Sequence, residues 1–460
     1  MSVHPQMDSP LMTAVAEHSE QTSAAGAKVD VPLDELILGR PIGFPIYDAR
    51  GVLLLAEGAV ISSDFKRLLR NRGLDSVQID ERDLSRVTLS NDLQADETFS
   101  FDNDLTKHLD QIIDGGMVPV KNDGPAIRES MTSRGTEAYD REQRKKLIGQ
   151  NTESHSALSG AMKAALHGGA ANGATMSKMA GAYLQEMQSD VDSVLTSTMG
   201  MFDDDSLAAQ ALQTALLAMA IGVEMDFDAD NVRMLGLVGM VHDWGMMRVP
   251  KHIRDSAGRL SREDFHEIKK HPIYSLEMLQ KASAMPGLVS LVSYQIHERP
   301  NGSGYPRGRS DNAIHQFARI VAVADQYTAL TTSRPWRQPY MAYAAVECLL
   351  RDAQARRVDA SVVRALLCVL SLFPVGSLVT LSDGSIARVM RRNGNAYTSP
   401  IVQRLQDANG ERVDPIAFGN IIDLQNSELK VEQALPTPGR KELSLTAALA
   451  ERERYGETYA

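Results

Sequence analysis

The chain has 460 residues, room for three domains at about 150 residues each. An apolar fraction of 43% and a charged fraction of 23% exclude wholesale disorder. Forty-eight Lys and Arg against 59 Asp and Glu leave a net charge of −11, which argues against a surface built to grip DNA.

Residues 1–28 are small, polar and aperiodic, and they read as disordered. They hold neither a basic n-region nor a continuous apolar h-region, so no secretory signal is expected. The apolar stretches Ala215–Val223 and Ala365–Val375 fall short of the ~18–20 residues that span a bilayer. Cys348 and Cys368 cannot make a disulfide framework and fit a reducing compartment. The expected setting is cytoplasmic, with no membrane contact.

Residues 29–82 read as a small α+β domain. Ile46-Tyr47 and Val52–Leu55 flank an Asp-Ala-Arg-Gly turn, a hairpin signal. Phe65–Leu69 gives a short amphipathic helix stopped by Gly73, and Ser76–Asp80 a closing strand. Residues 83–180 are rich in Gly and Ala and carry the charged run Asp140–Lys146; they read as a linker with isolated helices.

Residues 181–372 read as helical. Leu212, Ala215, Leu216 and Met219 recur at helical spacing, and Leu235, Val238 and Val241 mark a second helix. Ser261 with Asp264 resembles a capping box opening a third. Leu288–Ile296 and Ile320–Leu330 mark two more. After Pro374 the period becomes two, and Asp383-Gly384 joins two strands. Residues 373–432 read as a small β-barrel-like module and 433–460 as a charged tail. The expected architecture is mainly α: an all-helical bundle flanked by two small modules.

Six of the eleven histidines lie between His242 and His315, inside the helical region. His242-Asp243 closes an apolar helix just before Gly245. His271 precedes Pro272, and His297 leads into Glu298-Arg299. Asp325 lies within an apolar run, where an unpartnered carboxylate would cost several kcal/mol. It must meet an Arg, a hydrogen-bond cluster or a cation. Three imidazoles and two carboxylates on four helices suit Fe, Mn or Zn and the hydrolysis of a phosphodiester. Between His297 and Asp325, Gly302, Gly304 and Gly308 with Pro306 make a tight loop, in which Tyr305 offers a face for a nucleobase. Arg334-Pro335-Trp336-Arg337 sets two guanidiniums beside an aromatic, suited to phosphate contact.

His242-Asp243-Trp244-Gly245, Lys270-His271-Pro272, His297-Glu298-Arg299 with Gly302-Ser303-Gly304-Tyr305-Pro306, and Ala324-Asp325 with Arg334-Pro335-Trp336-Arg337 resemble the HD-GYP family in order and spacing. That family is a branch of the HD metallophosphohydrolases. The resemblance covers about residues 200–370. It implies an all-helical domain that hydrolyses cyclic di-GMP at an iron or manganese centre. His242, Asp243, His271, His297 and Asp325 match the metal ligands, with His242 and Asp243 central to catalysis. Arg334 and Arg337 match residues that hold ligand phosphate; Gly304, Tyr305 and Pro306 are expected to bind substrate with them, and the Gly302–Pro306 loop is the expected surface for any protein partner.

Four positions of the centre depart from the family pattern, and a fifth lies just before the loop. Ser206 stands where the family has a ligand His, and Ile296 where it has the first of two paired His. Met246 and Thr328 replace a Lys and an Asp, and Asn301 replaces an Asp before the loop. The expectation is a cyclic di-GMP phosphodiesterase with impaired catalysis. The alternative is an inactive cyclic di-GMP receptor or signalling scaffold of the same fold.

Overall fold

The computed structural model describes residues 27–36, 42–59, 61, 63–88, 103–116, 118–169, 171–198, 206–258, 260–415, 417 and 419–455. The disorder expected for residues 1–28 lies almost wholly outside them. The described chain forms two units, one ending at Asp92 and one running from Leu93 to the C-terminus.

The first unit is α+β. Its strands are β1 (Lys28–Pro32), β2 (Ile46–Tyr47), β3 (Leu53–Leu55) and β4 (Ser76–Asp80), with helices α1 (Ser63–Asn71) and α2 (Glu81–Val87). The antiparallel sheet has the order β1-β4-β2-β3, so the strand expected to close the unit lies inside the sheet. Val77 and Ile79 alternate inward and pack with Val31, Ile46, Phe65 and Leu69.

The second unit is built on α6 (Leu207–Glu224) and α7 (Ala229–Val241), an antiparallel pair capped at its turn by Asp228, whose side chain accepts from Asn231 N at 3.0 Å. By length and composition α6 could cross a membrane, but 83% of its apolar window is buried inside the protein. Around this pair lie α8 (Lys251–Arg254), α9 (Arg262–Lys269), α10 (His271–Gln280), α11 (Gly287–Gln295), α12 (Gln316–Thr331), α13 (Ala342–Gln354) and α14 (Ala360–Leu370). Ser261 and Asp264 do form the capping box that opens α9.

The stretch expected as a linker is part of this core. It holds α3 (Asp104–Asp114), α4 (Arg141–Leu166) and α5 (Gly173–Ser197). Leu147, Leu158, Met162, Tyr183 and Met187 are buried with the central helices. The many small residues around them, some buried like Ala165 and Ala180, imitate a linker in composition. α5 is broken at Asp190 (φ −160°, ψ 92°), whose carboxylate accepts from Ser193 N at 2.9 Å and caps the second piece.

The C-terminal module is an open sheet, not a barrel. Strands β5 (Leu378–Leu381), β6 (Ile386–Arg391), β7 (Ile401–Gln406), β8 (Ile421–Asp423) and β9 (Val431–Leu435) take the order β8-β7-β6-β5-β9. No pairing joins β8 to β9 among the described residues, so the sheet does not close. The expected charged tail supplies β9 and α15 (Leu445–Tyr455). Arg452 of α15 meets the buried carboxylate of Asp352 on α13 at 2.8 and 2.9 Å.

One buried ion pair ties the sheet to the helices. Arg391 of β6 meets both oxygens of Asp190 at 2.9 Å, and both side chains are at most 4% exposed. Replacing Arg391 with Met leaves the Asp190 charge buried and unpaired. Urea unfolding should then show a loss of about 3–5 kcal/mol, and the double change with Asp190→Leu should cost less than Arg391→Met alone.

Candidate metal centre

Two of the three predicted imidazoles stand beside helix C-termini, where the last carbonyls lack partners within the helix. His242 caps α7, and its Nδ1 donates to Gly239 O at 2.9 Å. His271 follows α9, and its Nδ1 donates to Ile268 O at 2.7 Å. Each bond fixes the ring orientation that turns Nε2 toward the centre. His297 follows α11 and makes no such carbonyl bond among the described residues. Its ring instead lies against Tyr305, with centroids 4.9 Å apart and planes 7° from parallel.

These nitrogens converge on Asp243. Its Oδ1 lies 3.2 Å from His271 Nε2, 3.5 Å from His297 Nε2 and 3.6 Å from His242 Nε2. Asp325 joins from α12, with Oδ1 3.4 Å from His242 Nε2. Two ligand triads result, Asp243-His271-His297 and His242-Asp243-Asp325, each with its donor atoms within 4.8 Å of one another. Asp243 belongs to both. Asp325 therefore meets an imidazole, not an Arg.

Burial opposes charge on Asp243, but His242 and His271 outweigh it and hold its carboxyl well below the usual range. Burial also opposes a proton on His242; Asp243 and Asp325 reverse that and hold its pKa up at about 9. His297 goes the other way. Burial pushes it down to about 4, so it is a neutral donor at pH 7.

A second layer locks the centre. Gly245 N donates to Ser275 Oγ at 2.8 Å, and that hydroxyl donates to His242 O at 2.7 Å. A Cβ on Gly245 would stand 2.0 Å from His271 O, so only glycine lets α10 come this close. A Cβ on Gly304 would stand 2.4 Å from His297 O and from Arg299 N. Glu298 lies beneath the same loop, accepting from Arg307 N at 2.7 Å and Arg309 N at 2.8 Å. Burial pushes its pKa up to about 7 against those two bonds.

Not every expected site residue reaches the centre. Arg337 is buried, and its guanidinium donates to Ala329 O at 2.6 Å and Leu330 O at 3.0 Å, capping α12. Two of its guanidinium nitrogens are thus engaged with the end of α12. Arg334 stays partly exposed beside Trp336, across a short backbone bridge from Arg337. The face of Tyr305 expected to stack on a nucleobase stacks on His297.

The departures have structural occupations. Ser206 caps α6, accepting from Ala209 N at 3.2 Å, and lies 2.9 Å from His155 Nε2. Ile296 is fully buried in the core. Met246 packs with Val249, Ile253 and Leu260. Thr328 is buried, and its carbonyl accepts from Thr332 Oγ1 at 2.7 Å. Sequence reading missed Ser275 and the clasp role of Glu298. The second was within reach, since Glu298 stands inside the His-Glu-Arg motif; a serine on α10 gives no such signal.

Residues 198–362 match the HD domain family. The same stretch carries the motifs that resemble the HD-GYP branch. It is 31% identical over 201 residues to a cyclic di-GMP phosphodiesterase of Pseudomonas aeruginosa, a match covering 44% of this chain and 48% of that protein. A cyclic di-GMP phosphodiesterase of Borreliella burgdorferi is 24% identical over 225 residues, 49% of this chain and 59% of that one. The chain thus spans about half the length of the curated relatives it matches. A solved HDG"Y"P protein of Bdellovibrio bacteriovorus aligns with a TM-score of 0.38 at 16% identity, over 74% of this chain and 98% of that one.

An HD domain implies a divalent metal, and the donor set here fits one. His242 Nε2 and Asp243 Oδ1 are buried without a hydrogen-bond partner, although both lie within ion-pair reach of other ligands. His271 Nε2 and His297 Nε2 lie 2.8 Å apart, and the donors of each triad face a common point. Gly245→Ala should push α10 off this centre and weaken Mn²⁺ binding about 10–100-fold, as loss of ligand support does elsewhere. Gly258→Ala, where nothing lies within 4 Å of the added Cβ, should leave the Mn²⁺ titration unchanged.

Proposed function

We propose that this domain is an HD-GYP-type phosphodiesterase for cyclic di-GMP, holding iron or manganese, with its catalysis impaired. The observation that carries the reading is the sharing of Asp243 by two ligand triads. His242, Asp243 and Asp325 would hold one cation, and Asp243, His271 and His297 a second. A divalent cation bound there supplies Lewis-acid activation of water and neutralises phosphate charge. The chain's own contribution is orientation. Gly239 O and Ile268 O aim two imidazoles, and Tyr305 aims the third. The Gly302–Pro306 loop walls the centre and is also the surface offered to a protein partner. Arg334 remains to meet substrate phosphate. The two cysteines are free and buried, which supports a cytoplasmic setting, without a role for DNA or membrane.

The second reading, an inactive cyclic di-GMP receptor or scaffold, is favoured by Ser206, Ile296, Met246 and Thr328. Met246 and Thr328 are both neutral, so the loss of both members of the family's charged pair leaves no orphan charge. A centre with two imidazoles fewer should hold about one transition metal tightly rather than two or three.

Elemental analysis of the purified protein checks that count, and His271→Ala and Asp325→Ala should each lower it. Unchanged metal content in both variants would remove the proposed centre. Hydrolysis of cyclic di-GMP should run at least ~10²-fold below an intact family member, the usual loss for one missing electrostatic group. Ser206→His with Ile296→His, followed by Met246→Lys with Thr328→Asp, should raise turnover in steps. Brisk hydrolysis by the unaltered protein would overturn the impairment.

A further inference from the structure

Two of the three imidazoles are aimed by backbone carbonyls, and the third is not. His297 stacks on the Tyr305 ring and its Nε2 meets His271 Nε2 at 2.8 Å, so the loop carrying Tyr305 is one of two holds on its position. The loop is held from below by Glu298, which takes the backbone N–H groups of Arg307 and Arg309. The side chains of the same two residues are held from a remote part of the chain. Arg307 Nε and Nη2 each lie 2.9 Å from Asp110 Oδ2 on α3. Arg309 Nη2 lies 2.7 Å from Asp110 Oδ1, and Arg309 Nη1 2.6 Å from Asp114. Tyr294 joins them, accepting from Arg307 Nε at 2.8 Å.

Asp110 is the hub of this cluster. Its side chain is 18% exposed, against 24% for Arg307 and 13% for Arg309, so the pairs are well shielded. Shielded, forked Arg–carboxylate pairs are the strong kind, and losing the shared carboxylate loosens two guanidiniums at once, leaving Tyr294 to hold Arg307 and Asp114 to hold Arg309. Asp114, by contrast, is 66% exposed and holds only Arg309.

We propose that Asp110 is a positioning residue for the metal centre: it clamps Arg307 and Arg309, and so seats Tyr305 against His297. The inference deepens the proposed function and rests on it for the metal, but not for the clamp. α3 is also the first described element after the N-terminal unit. A displacement of α3 would reach the centre mainly through this carboxylate, with Asp114 as a second, more exposed link to Arg309.

The test uses the full chain with Asp110→Ala, Asp110→Glu, and Arg307→Gln with Arg309→Gln. In metal-free protein the Tyr305 ring current marks the His297 ring protons in the NMR spectrum. Asp110→Ala should relax that shift and speed hydrogen exchange at the Tyr305, Arg307 and Arg309 amides. Mn²⁺ affinity should fall about 10–100-fold, the usual cost of losing a ligand's support. Asp110→Glu should restore most of the loss, and the Arg pair should reproduce it should Asp110→Ala fail to fold. Adding Asp110→Ala to the Arg pair should cost less than the sum of the two. An unshifted His297 signal in both Asp110→Ala and the Arg pair overturns the inference. So does a relaxed loop with Mn²⁺ affinity intact. Absence of Mn²⁺ binding by the unaltered protein would instead sink the proposed function, and the His297 signal would still decide the clamp.

Discussion

The centre is organised by one half-buried carboxylate. Asp243 keeps its carboxylate ionised in surroundings where an unpartnered ion would cost several kcal/mol, because imidazoles from three segments converge on one of its oxygens. Each of those imidazoles must arrive from a different helix end, so the packing of α7, α9 to α11 and α12 is a condition of the charge being tolerable. Hence the close approach at Gly245: the His-Asp segment and α10 are interlocked through Ser275, and a single methyl group would part them.

Helix ends serve a second purpose here. The last carbonyls of a helix have no intrahelical donors, and they need partners. His242 and His271 each supply one, and in doing so have their rings oriented with Nε2 toward the centre. One hydrogen bond thus finishes a helix and prepares a ligand. Arg337 meets the same need with a guanidinium, engaged with the end of α12.

That contrast explains what was readable in the sequence. His242, Asp243, His271, His297 and Asp325 stand at motif positions whose spacing follows helix ends, and the structure brings all five together. The capping contact of Arg337 was not legible because a guanidinium caps a helix or binds a phosphate equally well, and the chain reversal after Thr331 brings it to the end of α12. α4 and α5 were misread because Gly, Ala and Ser carry no hydrophobic contrast, whether they lie in a linker or at a close helix contact. Whether a sheet closes depends on which strands lie at its edges. In this module β9 arrives from beyond residue 430 to pair with β5, and no local pattern announces it.

The four departures are not simple gaps in an otherwise standard centre. Ser206 caps a helix, Met246 packs a small apolar cluster, Thr328 is buried near a helix end and Ile296 fills the core. Each has acquired a structural task, so restoring a ligand removes a working contact as well as adding a donor. Ser206→His gives up a cap worth about 1 kcal/mol. Ile296→His places a polar ring where nothing but apolar surface has been accommodated, and that ring stays costly until a cation or a hydrogen bond satisfies it. Metal and fold are therefore coupled in any rebuilt centre: added imidazoles destabilise the empty protein, and a bound cation would recover part of that loss. The present sequence sits on the other side of the balance, with fewer donors and a fold that stands without them.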